Sequence, residues 1–192
     1  MKLDILCVDN PRIDIKALAE ALIEAGVEVV CLAGMQTADP GFALQAYVEE
    51  MELELSVVPG AILMSSEGDL VLVFGAVDKV IVPNHAPLAT IIELTQSRGG
   101  AAVMLLSVES NGWELAHASV VFDLSSEAII EKTNPVSLAI SGTYQPDSPE
   151  SIGIAYTEVG IKEFTGYEEI TKLMVTNPEA FVPKLNGEDF LL

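Results

Sequence analysis

Five side chains of the kinds that bind divalent cations are spread along the chain: Asp4, Asp69, His85, Glu109 and Asp147. Carboxylate oxygens are the ligands that magnesium prefers, and manganese accepts both carboxylates and imidazoles. A bound ion of this kind can activate water against a phosphate ester. Most of these residues follow or adjoin a strand-like segment, so we expect them to meet at one end of a sheet and to line a candidate polar pocket.

The same residues also have an ordinary structural interpretation. Residues 65–69 read Ser-Ser-Glu-Gly-Asp, and these residue types are common in tight turns. His85 precedes a predicted helix, where capping or a loop hydrogen bond is its usual role, and His117 lies in an apolar stretch typical of a buried structural histidine. The sequence leaves the pocket and the turn interpretations both open.

Several common catalytic motifs are absent from the sequence. No G-x-S-x-G, Walker loop, C-x-x-C or H-E-x-x-H occurs. Cys7 and Cys31 each lie in an apolar, strand-like segment, which predicts small buried thiols rather than a disulfide. The sequence therefore gives no support for a hydrolase with a nucleophile elbow, a nucleotide-binding protein with a Walker loop or a zinc protease.

Composition limits the class of protein and its partners. The chain has 192 residues, 50% of them hydrophobic, and 29 acidic against 9 basic residues give a formal charge of −20. Such a charge repels nucleic acid, and no apolar run reaches the ~18 residues that cross a bilayer. The amino terminus has no cleavage site typical of a signal peptide. We therefore expect a cytoplasmic protein that hides apolar surface in a homo-oligomer or against a protein partner.

Alternating strand and helix patterns predict an α/β fold. Strands are expected at 2–8 and 27–32, with helices at 14–25 and 41–51 between and after them. A strand cluster follows at 54–64, 68–74 and 77–82, then a helix at 89–98 and a strand at 101–107; later elements are expected at 120–122, 126–131, 136–140 and 167–175. This pattern predicts one domain at 1–176, with a tail at 177–192 docked on it.

Five short segments, at 21–37, 58–60, 68–75, 98–105 and 141–157, carry motifs in a fixed order. In that order they resemble the PHP family, the metal-dependent phosphoesterase domain named after polymerases and histidinol phosphatase. They are similar to the family's helix, strand and T-D-H-D-T turn, its I-P-G-V-E, its G-H-L-L-A-L-G, its G-G-L-A-V-L-A and its G-S-D-A-H-S-P-E-E-I-G-x-A-Y-T. The resemblance implies a distorted seven-stranded β/α barrel whose chemistry lies at the carboxyl ends of the strands.

The family would use divalent metals such as zinc, manganese or iron, but this chain departs from the family at the metal-binding positions. The resemblance places those positions on Leu6, Val8, Gly34, Met35, Ile62, Asp69, Leu106, Gln145 and Asp147. Among them only Asp69 and Asp147 carry a carboxylate, and hydrocarbon side chains supply no lone pair to a metal. The resemblance therefore implies a degenerate site that holds no metal or other cofactor.

Three functions follow from these observations. The first is a PHP-like pseudoenzyme that acts as a binding, regulatory or assembly protein, which would not be an enzyme. The second is a metal-dependent phosphoric ester hydrolase with a rebuilt, carboxylate-poor site. The third is a purely structural oligomer, for which the high apolar content is the motivation.

Overall fold

A computed structural model gives the structure of the chain. It describes residues 1–8, 13–74, 85–110, 113–121, 138, 142–143, 152–153, 155–161, 165–185 and 187–189. Among these residues, no helix combines the length and the apolar character that a membrane crossing requires.

Strands and helices alternate in the first half of the chain, which confirms the α/β class. The helices are α1 (Ile15–Glu24), α2 (Asp39–Glu50), α3 (Leu88–Gln96) and α4 (Tyr167–Thr176). The strands are β1 (Lys2–Val8), β2 (Val29–Met35), β3 (Ser56–Met64), β4 (Leu70–Phe74), β5 (Ala101–Ser110), β6 (Trp113–Val121), β7 (Gly142–Thr143), β8 (Ala155–Val159), β9 (Phe181–Leu185) and β10 (Glu188–Asp189). The elements expected at 77–82 and 126–131, and most of that at 136–140, lie outside the described residues.

One curled, half-barrel sheet carries all these strands, in the order β10-β9-β8-β1-β2-β3-β4-β5-β6, with β7 also paired to β1. Strands β1, β2 and β3 are parallel, as their βα connections predict. The next pairs, β3 with β4, β4 with β5 and β5 with β6, are antiparallel. Short connections explain two of these three pairs, since five residues join β3 to β4 and two join β5 to β6, too few for a parallel crossover.

Helices α1, α2 and α3 cover one face of the sheet, which we call the helix face. Leu18 and Leu22 of α1 and Leu44 of α2 pack on Val30 and Leu32 of β2. Helix α3 packs separately, through Ile91 and Ile92, on the same face of β3 and β4. Local sequence sets the start of α1, because the Asp14 carboxylate accepts a hydrogen bond from the Ala17 amide at 3.0 Å.

The opposite, inner face carries a second apolar cluster. It joins Leu3, Ile5, Val29, Cys31, Ala33, Val58, Ile62, Leu72, Phe74, Ala101, Val103, Leu138, Val159, Ile170 and Phe181. Ile170 belongs to α4, so this helix packs on the inner face, whereas Phe181 belongs to β9, a strand of the same sheet. The stretch expected as a docked tail thus contributes a strand, because β9 pairs with β8 along its whole length.

Candidate functional site

The positions that the PHP resemblance assigns to metal ligands lie on both faces of the sheet. Leu6 and Val8 on β1 are buried in the cluster beneath α1 and α2. Ile62 on β3 is buried in the cluster on the inner face. Because side chains alternate along a strand, the inner face of β1 presents Ile5 and Cys7 instead. A single ion could not contact both Leu6 and Ile62, so these two positions do not belong to the coordination shell of one metal ion.

The last two residues of β2 hold the next two of these positions. Gly34 forms an isolated bridge with Thr37, and the Gln36 amide donates to the Ile62 carbonyl at 2.9 Å. Met35 pairs in register with Ile62 and so shares the inner face, but 41% of its surface is exposed. The end of β2 thus presents a thioether at the carboxyl end of the sheet, where a metal site would need imidazole or carboxylate.

Asp69 belongs to the tight turn between β3 and β4. The buried Ser65 hydroxyl oxygen accepts hydrogen bonds from the Glu67 amide at 3.2 Å and the Asp69 amide at 3.0 Å. The Asp69 carboxylate accepts from the same hydroxyl at 3.4 Å, and Gly68 has a φ of 95°, which favours glycine. Both Ser65 and Asp69 therefore have a structural role in closing the hairpin, as the turn interpretation predicts.

His85 docks onto this turn through its backbone. Its amide donates to the Met64 carbonyl at 2.7 Å, and the Ser66 amide donates to the Ala86 carbonyl at 2.9 Å. The Glu67 carboxylate accepts from the Leu88 amide at 3.0 Å, at the first residue of α3. This hydrogen bond is the largest cause that lowers the pKa of Glu67 below its ordinary value. The structure thus brings His85 and Asp69 to the same turn, where Glu67 caps α3.

Asp4 is fully buried and far from that turn. Its carboxylate accepts a hydrogen bond from the Gly153 amide at 3.0 Å, which ties β1 to the chain just before β8. Asp4 pairs with Val30 of β2, and Val30 in turn pairs with Val57 near the start of β3. Asp69 instead lies beyond the end of β3. The difference is about seven residues, or roughly 20 Å along the strand. Asp4 and Asp69 cannot share an ion.

The remaining predicted site residues lie on or after β5. By their backbone, Leu106 pairs with His117 and Glu109 with Glu114 in the antiparallel pair of β5 and β6. Gln145 and Asp147 lie outside the described residues. Within the described part of the chain, no group of three His, Cys, Asp or Glu side chains is placed to hold a metal ion.

The cysteines lie on neighbouring strands of the inner face. Cys31 is buried and Cys7 is half-buried, and both thiols are unbridged. Burial raises the pKa of Cys31 far above its ordinary value, and the nearby Cys7 raises it further. A thiol that stays protonated is a poor nucleophile and a poor metal ligand, so Cys31 is a packing residue.

Sequence reasoning missed a different feature of this end of the sheet. Met35, Met64 and Leu70 expose 41%, 41% and 38% of their surfaces at the carboxyl ends of β2 and β3 and the start of β4. Their sequence context resembles that of the buried residues beside them, so only their place at the ends of strands could have indicated exposure.

The protein-family models give no match to the chain, and none of the curated proteins matches it.

Proposed function

We propose that this chain is a PHP-like scaffold, related to the distorted seven-stranded β/α barrel of that family, which has lost its metal ligands and acts as a non-catalytic binding, regulatory or assembly protein. The apolar cluster on the inner face is the observation that supports this proposal most. It extends through Ala33 and Ile62 toward the carboxyl ends of β2 and β3. Barrel enzymes hold their polar catalytic groups at those ends.

Physical chemistry explains why an apolar inner face suits a protein without metals. A multinuclear phosphoesterase site needs a dense set of imidazoles and carboxylates to hold several ions close together. Without the ions those groups would be buried and mutually repulsive, and their desolvation would destabilise the fold. Replacement by a hydrocarbon side chain, as the resemblance implies at Ile62, removes that cost and adds hydrophobic stabilisation.

Elemental analysis of the purified protein tests the proposal directly. We expect less than stoichiometric zinc, manganese and iron after growth in medium supplied with all three, and no metal-dependent hydrolysis of p-nitrophenyl phosphate. The rebuilt-site alternative predicts stoichiometric metal and turnover that Asp147→Ala abolishes, while the exposed control Glu50→Ala leaves it unchanged. That result would replace the proposed function with a phosphoesterase.

A structural oligomer remains a second candidate because large apolar side chains are exposed in several parts of the fold. They are Ile23, Met35, Phe42, Met51, Met64, Leu70 and Val182. An obligate oligomer would bury such residues in an extensive self-interface. Light scattering after size-exclusion chromatography tests this candidate, and a monodisperse monomer would eliminate it.

A further inference from the structure

Three exposed apolar side chains form a continuous strip at the carboxyl end of the sheet, which we call the apolar rim: Met35, Met64 and Leu70. Met64 and Leu70 are directly opposite each other in the antiparallel pair of β3 and β4. Met35 is opposite Ile62, which lies two residues before Met64 on the same face. Neighbours in these positions lie within reach of long side chains. The rim therefore continues the inner apolar cluster outward into solvent.

The charged residues closest to the apolar rim along the described part of the chain are acidic. Every charged residue between Lys16 and Lys79 is acidic, and this interval contains β2, β3 and β4. Asp39 is exposed in the first turn of α2, four residues after Met35, and Glu67 is exposed in the turn after Met64. A cationic surface would be attracted to this end of the sheet, and an anionic one repelled.

Methionine suits a surface that receives an apolar helix face. Its side chain is unbranched and polarisable, so two methionines and a leucine can adjust to side chains of different shape. Amphipathic helices bind such surfaces through an apolar stripe, while their basic residues meet surrounding carboxylates. An exposed, adaptable apolar strip on a chain with a formal charge of −20 therefore favours a partner that is both apolar and basic.

We propose that the apolar rim binds a positively charged amphipathic segment of a partner protein. This inference rests on the proposed function as a binding protein and names the chemistry of its partner. A second copy of this chain fits less well, because each chain carries a formal charge of −20 and two copies repel each other. The rim is small, so the binding is weak and reversible, in the range of about 1–100 µM.

Methionine methyl NMR of the full chain tests the proposal residue by residue. The chain has six methionines, and Met35→Gln and Met64→Gln assign the two rim signals. The probe is a synthetic helical peptide with leucines on one face and lysines on the other. Met51 is the internal control, because it is 52% exposed but follows α2 at the opposite end of the sheet, where the chain enters β3. We expect the peptide to shift the Met35 and Met64 signals and to leave the Met51 signal in place.

Matched variants separate apolar docking from general attraction to an acidic protein. The double variant Met35→Gln and Met64→Gln should weaken binding by about tenfold or more, since each exchange removes apolar area from the contact. Met51→Gln should bind as the native chain does. Met35, Met51 and Met64 are all exposed, so these substitutions should leave the fold intact. An unchanged melting temperature of each variant verifies this. A peptide of the same composition, shuffled so that it has no apolar face, should bind more weakly.

Three outcomes would overturn the proposal: equal binding of the double variant and the native chain, equal binding of the shuffled peptide, or an equal response of Met51. Rim signals that shift with protein concentration alone would assign the rim to self-association, which also contradicts it. The proposed function fails separately. Stoichiometric metal and turnover would refute that function even if the peptide binds, whereas a metal-free protein whose rim ignores the peptide would refute only the docking.

Discussion

At the scale of single residues, Glu67 makes a contact that holds two elements of the fold together. It caps a helix that begins twenty-one positions later in the chain. Its carboxylate accepts from the Leu88 amide, and α3 has no capping side chain of its own at Pro87. A negative charge at the start of a helix is stabilising because the first amides are unpaired and point toward it. The residue thus connects the β3–β4 turn to α3.

The lowered pKa of Glu67 makes this contribution depend on pH. A carboxyl whose pKa is depressed by folding stabilises the protein above its unfolded-state pKa, and the stabilisation is lost as the pH falls through the folded-state pKa. We expect Glu67→Gln to lower the melting temperature at about pH 7. The difference between variant and native chain should shrink as the pH falls from about 7 through the folded-state pKa of Glu67, because protonation removes the charge that the variant lacks.

Differential scanning calorimetry across this pH range measures the difference. Glu50→Gln is a matched control, because Glu50 is an exposed acid at the carboxyl end of α2. It should not lower the melting temperature at neutral pH. A constant difference between Glu67→Gln and the native chain at every pH would show that the charge of Glu67 plays no part.

At the scale of elements, close packing of α2 on the sheet depends on a glycine. A Cβ atom at Gly41 would lie 2.7 Å from the Pro59 Cα and 2.8 Å from the Leu32 carbonyl oxygen. Both neighbours are backbone atoms of strands, so neither can rotate away as a side chain would. The helix can approach β2 and β3 this closely only without a side chain at this position.

Gly41→Ala should therefore destabilise the protein even though alanine favours helices. The overlap requires a shift of α2 or of the strands, and overpacking of this kind typically costs about 1–3 kcal/mol. Urea unfolding measures the loss. Gly160→Ala is the matched control, because a Cβ there would meet nothing closer than the Ala180 carbonyl oxygen at 3.6 Å. Equal stability of Gly41→Ala and the native chain would mean that α2 adjusts without strain.

At the scale of the whole molecule, the formal charge of −20 opposes compaction. Like charges on the surface of a folded chain repel one another, and dissolved salt screens that repulsion over distances beyond about 10 Å. The interval between Lys16 and Lys79 is the extreme case, because it has no basic residue to pair with its acids. Salt should therefore stabilise the native state.

Raising sodium chloride from about 0.05 M to about 0.5 M at neutral pH should raise the melting temperature by a few degrees, equivalent to about 1 kcal/mol. The same series near the isoelectric pH is the control, because repulsion between carboxylates is largely absent there. A melting temperature that falls with salt at neutral pH would indicate that attractive ion pairs dominate instead.

The sequence by itself determined the local elements of this protein. Helical spacing predicted a helix at 14–25, where α1 is found, and the apolar run at the amino terminus predicted β1 at Lys2–Val8. The residue types at 65–69 predicted a tight turn, which the Ser65 hydrogen bonds confirm. These features could be predicted because they depend on neighbours within a few positions along the chain.

Only the tertiary structure decided the faces, the pairings and the distances between elements. It placed Leu6 on the helix face and Ile62 on the inner face, set Asp4 roughly 20 Å from Asp69, and left Met35 and Met64 exposed beside buried neighbours. It also made residues 181–185 a strand of the sheet. A linear pattern cannot give these results, because exposure at the end of a strand and distance across a sheet depend on residues remote in sequence, whose positions the sheet itself fixes.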